Sequence, residues 1–137
     1  MNKILLDTNI ILDIALERRE FFERSKELML TINKLSIPSY ITATTVTDIY
    51  YILKKSKGHD LTISFLKNLF DFIDIAGVGK EIIFSALNSE FADFEDAVQA
   101  ECANKNDINI IVTRNIADFQ TSKLEIYTPS EFINQYS

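Results

Sequence analysis

Two short apolar runs, each followed by a polar residue, constrain the fold of this chain most strongly. Residues 4–6 are Ile-Leu-Leu and precede Asp7, and residues 110–112 are Ile-Ile-Val and precede Thr113. Continuous apolar runs of this length are typical of parallel strands that are buried on both faces. In open α/β sheets, ligands bind beyond the carboxyl ends of the strands. Asp7 and Thr113 therefore mark the edge of the sheet where a site is expected.

Between these runs, apolar residues recur at spacings of three and four, which predicts helices. The predicted helices cover residues 21–35, 45–57, 61–72, 81–91 and 94–105, and residues 58–60 separate the second from the third. A further helix is expected to open after Asp7, and a last one at Pro129 behind a Thr128 N-cap. Weaker strand patterns occupy residues 39–42, 73–76 and 124–127. The alternation predicts one α/β domain over residues 1–137, with a parallel sheet covered by helices on both faces.

The composition is that of an ordered globular protein: 47% of the 137 residues are hydrophobic and 25% are charged. No apolar run approaches the roughly 20 residues that cross a bilayer, and no signal-peptide core precedes Asp7. These features predict a cytoplasmic protein without a membrane partner. The single cysteine, Cys102, lies among small apolar residues and is expected to be a core thiol.

The formal net charge is −6, from 20 acidic and 14 basic residues. Such a charge repels a nucleic-acid backbone, so the chain is not a simple electrostatic binder of DNA or RNA. It is compatible with an enzyme whose bound divalent ions offset its own carboxylates. Five basic residues form either a local RNA-binding patch or a solvated helix surface: Arg18, Arg19, Lys54, Lys55 and Lys57.

Acidic residues stand at strand ends or helix starts in four segments, at Asp7, Asp48, Asp93 with Asp96, and Asp118. Taken singly, each has a plainer explanation: a helix cap at Asp7, Thr8 or Asp93, a surface carboxylate at Asp48, or a turn at Asn115 and Asp118. Taken together, with His59 as the only histidine and no Cys/His cluster, they predict an oxygen-ligand site for Mg²⁺ or Mn²⁺. Phosphodiester hydrolysis is the chemistry that such a site supports.

Three segments in order, residues 5–13, 93–97 and 113–119, resemble the signatures of the PIN-domain family, with Asp48 in the intervening helix and Pro-Ser-Glu-Phe at 129–132. The likeness is greatest to the VapC-like toxin branch. It implies a three-layer α/β/α fold with a central, mostly parallel sheet. It also implies an Mg²⁺- or Mn²⁺-dependent endoribonuclease that cleaves single-stranded RNA. Proteins of this branch commonly form homodimers and are neutralised by a cognate antitoxin in a type II toxin-antitoxin system, so the resemblance implies these partners too.

The resemblance also assigns residues. Asp7 and Asp96 match the acids that hold the essential metal, Asp48 stands where the family usually has Glu, and Asp118 replaces the charge missing at Asn115. The resulting catalytic and metal-binding set is Asp7, Asp48, Asp96 and Asp118, supported by Asn9, Asp93, Thr113 and Asn115, which orient the ligands or the attacking water. Asp13 belongs to the opening motif but is expected to have a structural or surface role.

Two other functions are compatible with the same pattern. The first is a PIN-like RNA- or protein-binding module that has lost catalysis, since Asp48 and Asn115 both depart from the family pattern. The second is a phosphoryl-accepting receiver-type domain, which shares the parallel sheet and acidic pocket. The chain lacks the adjacent acidic pair that such a domain carries after its first strand.

Overall fold

Five parallel strands form the centre of the fold in a computed structural model that describes residues 1–119 and 123–137. The strands are β1 (Ile4–Leu6), β2 (Ser39–Thr42), β3 (Asp74–Ala76), β4 (Ile110–Val112) and β5 (Glu125–Tyr127). The helices are α1 (Thr8–Ala15), α2 (Phe22–Leu35), α3 (Ala43–Leu69), α4 (Lys80–Leu87), α5 (Phe94–Lys105) and α6 (Pro129–Tyr136), with a short 3₁₀ helix at Ile116–Phe119.

The sheet has the strand order β3-β2-β1-β4-β5, and every neighbouring pair is parallel. Strand β1 lies in the middle, where Leu5 is in register with Tyr40 of β2 and Ile111 of β4. The carboxyl ends of the two apolar runs found in the sequence are therefore adjacent. This arrangement confirms the predicted parallel sheet.

Alternate residues of the central strands enter two separate cores. Ile4 and Leu6 pack with side chains from α1, α2, α3 and α6, whereas Leu5 packs with side chains from α4 and α5. Because successive side chains of a strand point to opposite faces, one continuous apolar run can support both cores. The result is the three-layer α/β/α architecture that was predicted.

The helix boundaries differ from the sequence pattern at α4, which ends at Leu87 rather than at residue 91, and at α3. The two helices predicted at 45–57 and 61–72 form one element with a kink at Gly58, whose φ of 79° and ψ of 173° are not helical. A positive φ is readily adopted by glycine, which has no Cβ. His59 is therefore helical rather than in a loop, and its exposed ring makes a 2.8 Å hydrogen bond with the hydroxyl of Tyr50.

The predictions for Thr128 and Cys102 are confirmed. Thr128 caps α6, with Pro129 in its first turn, and a capping box forms because Thr128 and Glu131 bond to each other's backbone N–H groups. Cys102 is buried, and burial raises the pKa of its thiol to about 11. No helix in the described parts of the chain combines the length and the apolar character needed to cross a bilayer.

Candidate active site

Asp7 lies directly after β1 and is only 6% exposed. It occupies the N-cap position of α1, but its side chain makes no capping hydrogen bond. Instead, Oδ1 accepts a 3.0 Å bond from Nε2 of Gln99 and Oδ2 accepts a 2.7 Å bond from the hydroxyl of Thr113. Burying a carboxylate is costly unless its oxygens are satisfied, and these two donors satisfy one lone pair on each oxygen. The helix-cap explanation of the Asp7 side chain is therefore wrong.

Thr113 connects the ends of the two central strands. It follows β4, is completely buried, and donates its hydroxyl proton to Asp7. The same oxygen accepts a 3.1 Å bond from the backbone N–H of Asn115. The side chain of Asn115 is exposed, so the structure links this residue to the site through its backbone.

Asp96 approaches Asp7 from the first turn of α5. The preceding N-cap residue, Asp93, accepts a 3.0 Å bond from the Asp96 backbone N–H, so Asp93 serves as the helix cap that its sequence position allowed. Burial, followed by the negative charges of Asp93, Asp7, Asp118 and Glu95, raises the pKa of Asp96 to about 7. Asp118 is exposed on the 3₁₀ helix, yet its charge acts on Asp96. Three of the four predicted ligands thus belong to one electrostatic cluster.

The fourth predicted ligand, Asp48, interacts electrostatically with the cluster through its neighbour Glu95. Asp48 is half-buried on α3 and lines the same pocket as Glu95. Glu95 accepts a 3.2 Å bond from the hydroxyl of Thr8, which is also 2.9 Å from that of Thr45. Burial and then the charge of Asp48 raise the pKa of Glu95, while the bond from Thr8 lowers it.

Sequence reasoning missed two residues of this site, Glu95 and Gln99. Glu95 was overlooked because its neighbour Asp96 matched the motif, although three acids within residues 93–96 indicated a denser cluster. Gln99 stands among Ala97, Val98 and Ala100 on the buried face of α5, where an amide needs a partner. A polar residue inside that apolar stretch was the available indication.

The site offers carboxylate oxygens in excess of the positive charge that faces them, which is the donor chemistry of an Mg²⁺ or Mn²⁺ site. Burial and then the repulsion of neighbouring carboxylates raise the pKa of Asp96, and a divalent cation would relieve that repulsion. Within residues 1–119 and 123–137, no three acidic, histidine or cysteine side chains are already arranged to hold an ion. The fit to such a metal therefore rests on the chemistry and charge of these residues, and not on a preformed ligand geometry.

Asp13 lies one turn further along α1 and is fully buried. Its oxygens pair with Arg18 at 3.2 Å and with Arg114 at 2.8 Å, although the angle of the second contact makes it an ion pair without a hydrogen bond. Arg114 also stacks over Phe21, with its guanidinium carbon 3.9 Å from the ring centroid. Asp13 thus has the structural role that was expected.

The guanidinium of Arg18 contacts the buried carboxylate of Asp13 and is not part of a free basic patch. It bonds both Asp13 and Oδ1 of Asn9 at 3.2 Å. For Arg18 neither alternative holds, because its guanidinium is paired with Asp13 and Asn9 and the residue is not on a helix. Lys54, Lys55 and Lys57 are exposed along α3.

Comparison with known proteins agrees with the motifs. The sequence profile of the family described as PIN domain matches residues 3–117. Ribonuclease VapC1 of Aquifex aeolicus (strain VF5) is 27% identical over 142 residues, covering 98% of this chain and 96% of the relative. The structure of VapBC2 from Rickettsia felis bound to a DNA fragment from its promoter has a TM-score of 0.71 at 17% identity, covering 92% of this chain and 98% of that chain.

A toxin-antitoxin complex from Klebsiella pneumoniae has a TM-score of 0.68 at 22% identity, with coverage of 92% of this chain and 97% of that chain. These structural likenesses support the three-layer fold. The profile match extends over most of the sequence and includes Asp7, Asp48 and Asp96. The chain therefore belongs to the PIN-domain family.

Proposed function

We propose that this protein is a divalent-metal-dependent endoribonuclease that cleaves single-stranded RNA and acts as the toxin of a type II toxin-antitoxin system. The observation that carries the proposal is the carboxylate cluster beyond the carboxyl ends of β1 and β4. There, buried Asp7 and half-buried Asp96 lie close enough to repel each other, and the negative charges of Asp93, Asp118 and Glu95 add to that repulsion. Support for RNA as the substrate comes from the relative that is named a ribonuclease.

The residues that would hold Mg²⁺ or Mn²⁺ are Asp7 and Asp96, assisted by Asp48 and Asp118. When bound, the metal supplies stabilisation of charge on the phosphate and activates water near neutral pH. Gln99 and Thr113 fix the orientation of the Asp7 carboxylate, because each bonds one of its oxygens. Thr113 extends this support to the backbone of Asn115.

Glu95 adds a fifth acid that the family motif did not assign. The hydroxyl of Thr8 holds Oε1 of Glu95 on the side of the cluster that faces Asp48. Asp48 is one methylene shorter than the glutamate usual in the family, and Glu95 places a second carboxylate beside it. In the proposed enzyme, Glu95 would compensate for the shorter side chain, because its carboxylate supplies negative charge beside Asp48.

The proposed partners are a cognate antitoxin and a second copy of the chain, in the cytoplasm. The antitoxin is supported by the solved neighbours, which are complexes of toxins with antitoxins. The homodimer rests on the family resemblance. Light scattering of the purified protein tests the dimer, and recovery of growth on co-expression of the product of an adjacent small open reading frame tests the antitoxin.

The deciding experiment is cleavage of a mixed single-stranded RNA pool by purified protein, freed of any bound partner, in Mg²⁺, in Mn²⁺ and in EDTA. The Asp96→Asn variant is run alongside. Cleavage that needs the metal and is lost in the variant supports the enzyme. Divalent-ion binding without cleavage of any RNA would instead favour the binding module.

A further inference from the structure

A pocket beside the carboxylate cluster combines apolar walls with polar side chains. It has a volume of about 280 Å³ and is bounded by side chains from α1, α3 and the start of α5. The apolar part is formed by Leu12, Tyr51 and Ile52, and the polar part includes Asn9 and Asp48. This volume is slightly below the roughly 300–1,000 Å³ of pockets that enclose drug-sized ligands, so the pocket suits one small planar group.

One wall of this pocket is the exposed aromatic ring of Tyr51. Tyr51 is 65% exposed and Ile52 is 40% exposed, which leaves a sizeable apolar surface in solvent next to a charged site. A tyrosine ring is amphipathic, so an exposed one offers a flat apolar face for stacking while its hydroxyl stays in water. Tyr51 therefore has a surface available for a partner that stacks.

The ring of Tyr51 packs against the ring of Tyr50. Tyr50 meets it edge-on, with the ring centroids 5.4 Å apart and an interplanar angle of 78°. The hydroxyl of Tyr50 is itself fixed by the 2.8 Å hydrogen bond with His59, beyond the Gly58 kink. An aromatic ring braced in this way loses little conformational entropy when a flat ligand stacks on it.

The surroundings fit a nucleotide. On α3, Asp48, Tyr51 and Lys55 follow one another at helical spacings of three and four, so they share one face of the helix. This face leads from the acidic site, past the aromatic ring, to an exposed ammonium group that can meet the next phosphate. Asn9 keeps its amide group as a donor, because the bond from Arg18 occupies only its carbonyl oxygen.

We propose that this pocket is a nucleobase subsite in which Tyr51 stacks on the unpaired base adjacent to the scissile phosphate and Asn9 donates a hydrogen bond to that base. The inference rests on the proposed ribonuclease function and deepens it, because a stacked base selects single-stranded RNA. Duplex RNA keeps its bases inside the helix and cannot place one on Tyr51. The subsite thereby supplies a reason for the preference for single strands.

The test measures the affinity of a short, fluorescein-labelled single-stranded RNA of random sequence by fluorescence anisotropy. All variants are made in Asp96→Asn protein, so that the RNA stays uncut. Loss of one base-aromatic stack is worth about 1–3 kcal/mol, so Tyr51→Ala is expected to weaken binding by roughly 5- to 150-fold. Tyr51→Phe keeps the ring and should bind as the parent does. Phe84→Ala removes an aromatic side chain that is 53% exposed on α4 and does not line the pocket, so it should change nothing.

A second measurement uses the wild-type active site. Sequencing of the products from a mixed RNA pool should show a base preference at one position beside the cut that Tyr51→Ala relaxes. Cleavage that Tyr51→Ala leaves unchanged, in both rate and preference, overturns the subsite while the ribonuclease stands. Tyr51-dependent RNA binding without any cleavage supports the subsite and overturns the ribonuclease.

Absence of RNA binding and of cleavage overturns both. If the Tyr51→Ala substitution weakens binding of a basic peptide but not of RNA, the pocket is a protein contact and the nucleobase assignment is wrong. The Tyr51→Phe and Phe84→Ala variants separate each of these outcomes from a general loss of folding.

Discussion

The hydroxyl of Thr113 donates a 2.7 Å hydrogen bond to Oδ2 of Asp7, although 106 positions separate the two residues in the sequence. Both residues are buried, and each directly follows one of the two central strands. Thr113 can therefore orient the Asp7 carboxylate only because β4 pairs with β1, which brings the ends of the two strands together.

Replacing Thr113 by Val tests the support of Asp7. The change keeps the shape of the side chain but leaves Asp7 Oδ2 and the backbone N–H of Asn115 without their partner. A buried group left unsatisfied costs about 1–3 kcal/mol, so the free energy of unfolding should fall by that amount in urea denaturation. Cleavage should fall roughly 10- to 100-fold, as is usual when a ligand loses its orienting partner. Thr113→Ser keeps the hydroxyl and should retain most of the activity; equal losses in both variants would count against the hydrogen bond.

Removing a charge from Asp96 should abolish cleavage without unfolding the protein. Asp96→Asn deletes a proposed metal ligand whose loss removes several kcal/mol of transition-state stabilisation, so the cleavage rate should fall at least about a thousandfold. Its thermal unfolding midpoint without metal should stay equal or rise, because the cost of burying the charge and the repulsion by Asp93 and Asp7 are relieved. Asp60→Asn, at an exposed position of α3, is the control and should keep full activity. An active Asp96→Asn enzyme would falsify the site.

The stability of the metal-free protein should depend on pH through Asp96. Burial and the neighbouring charges raise its folded pKa to about 7 from 3.8, so the folded state favours the protonated form. This contribution is fully present below about pH 4 and is lost as the pH rises through about 7. Asp13 and Glu95 act in the same direction, since burial raises the pKa of each.

Thermal unfolding in EDTA is expected to give a higher midpoint at about pH 5 than at about pH 8, and a smaller difference for Asp96→Asn. Mg²⁺ should raise the midpoint more at the higher pH, where the carboxylates are charged. If the midpoint of the metal-free protein does not change with pH, or if Asp96→Asn shows the same change as the wild type, the electrostatic cluster has been described wrongly.

Asp13 should matter for stability more than for chemistry. Asp13→Ala leaves Arg18 and Arg114 without the buried carboxylate between them. Removing one partner of a buried ion pair costs about 3–5 kcal/mol, and the partial exposure of both arginines places the expected loss near the lower end. Urea denaturation measures the loss. A matched Asp71→Ala variant, at an exposed position after α3, should be neutral, and a comparable loss there would show that the effect is not specific to the buried pair.

The predicted features that hold are those that depend on neighbours in the sequence. The helix at 94–105 has the predicted boundaries, and Thr128 caps α6 as expected, because hydrophobic period and capping chemistry act over three or four residues. The sequence predicted that residues 58–60 separate two helices, and this prediction is wrong. Gly58 kinks α3 without ending it, since packing of Leu53 and Leu66 against one core holds both halves of the helix.

Local sequence patterns could not predict which side chains contact the site residues. Gln99 meets Asp7 across 92 positions, and Asp13 meets Arg114 across the end of the sheet. The local sequence places Asp7 at a strand end and suggests a structural or surface role for Asp13, but it does not distinguish a buried, paired Asp13 from an exposed one. The distinction depends on which strand and helix termini come together when the sheet forms.

The sequence by itself determined the two central strands, the placement of Asp7 and Thr113 at their ends, most of the helices and the family. Those features follow from side-chain periodicity and from short motifs, which are local properties of the chain. Only the tertiary structure decided that Glu95 and Gln99 join the site, that Arg18 serves Asp13, and that Tyr51 stands exposed beside Asp48. These relationships depend on strand order and on the rotation of each packed helix, which hydrophobic burial across the whole domain fixes.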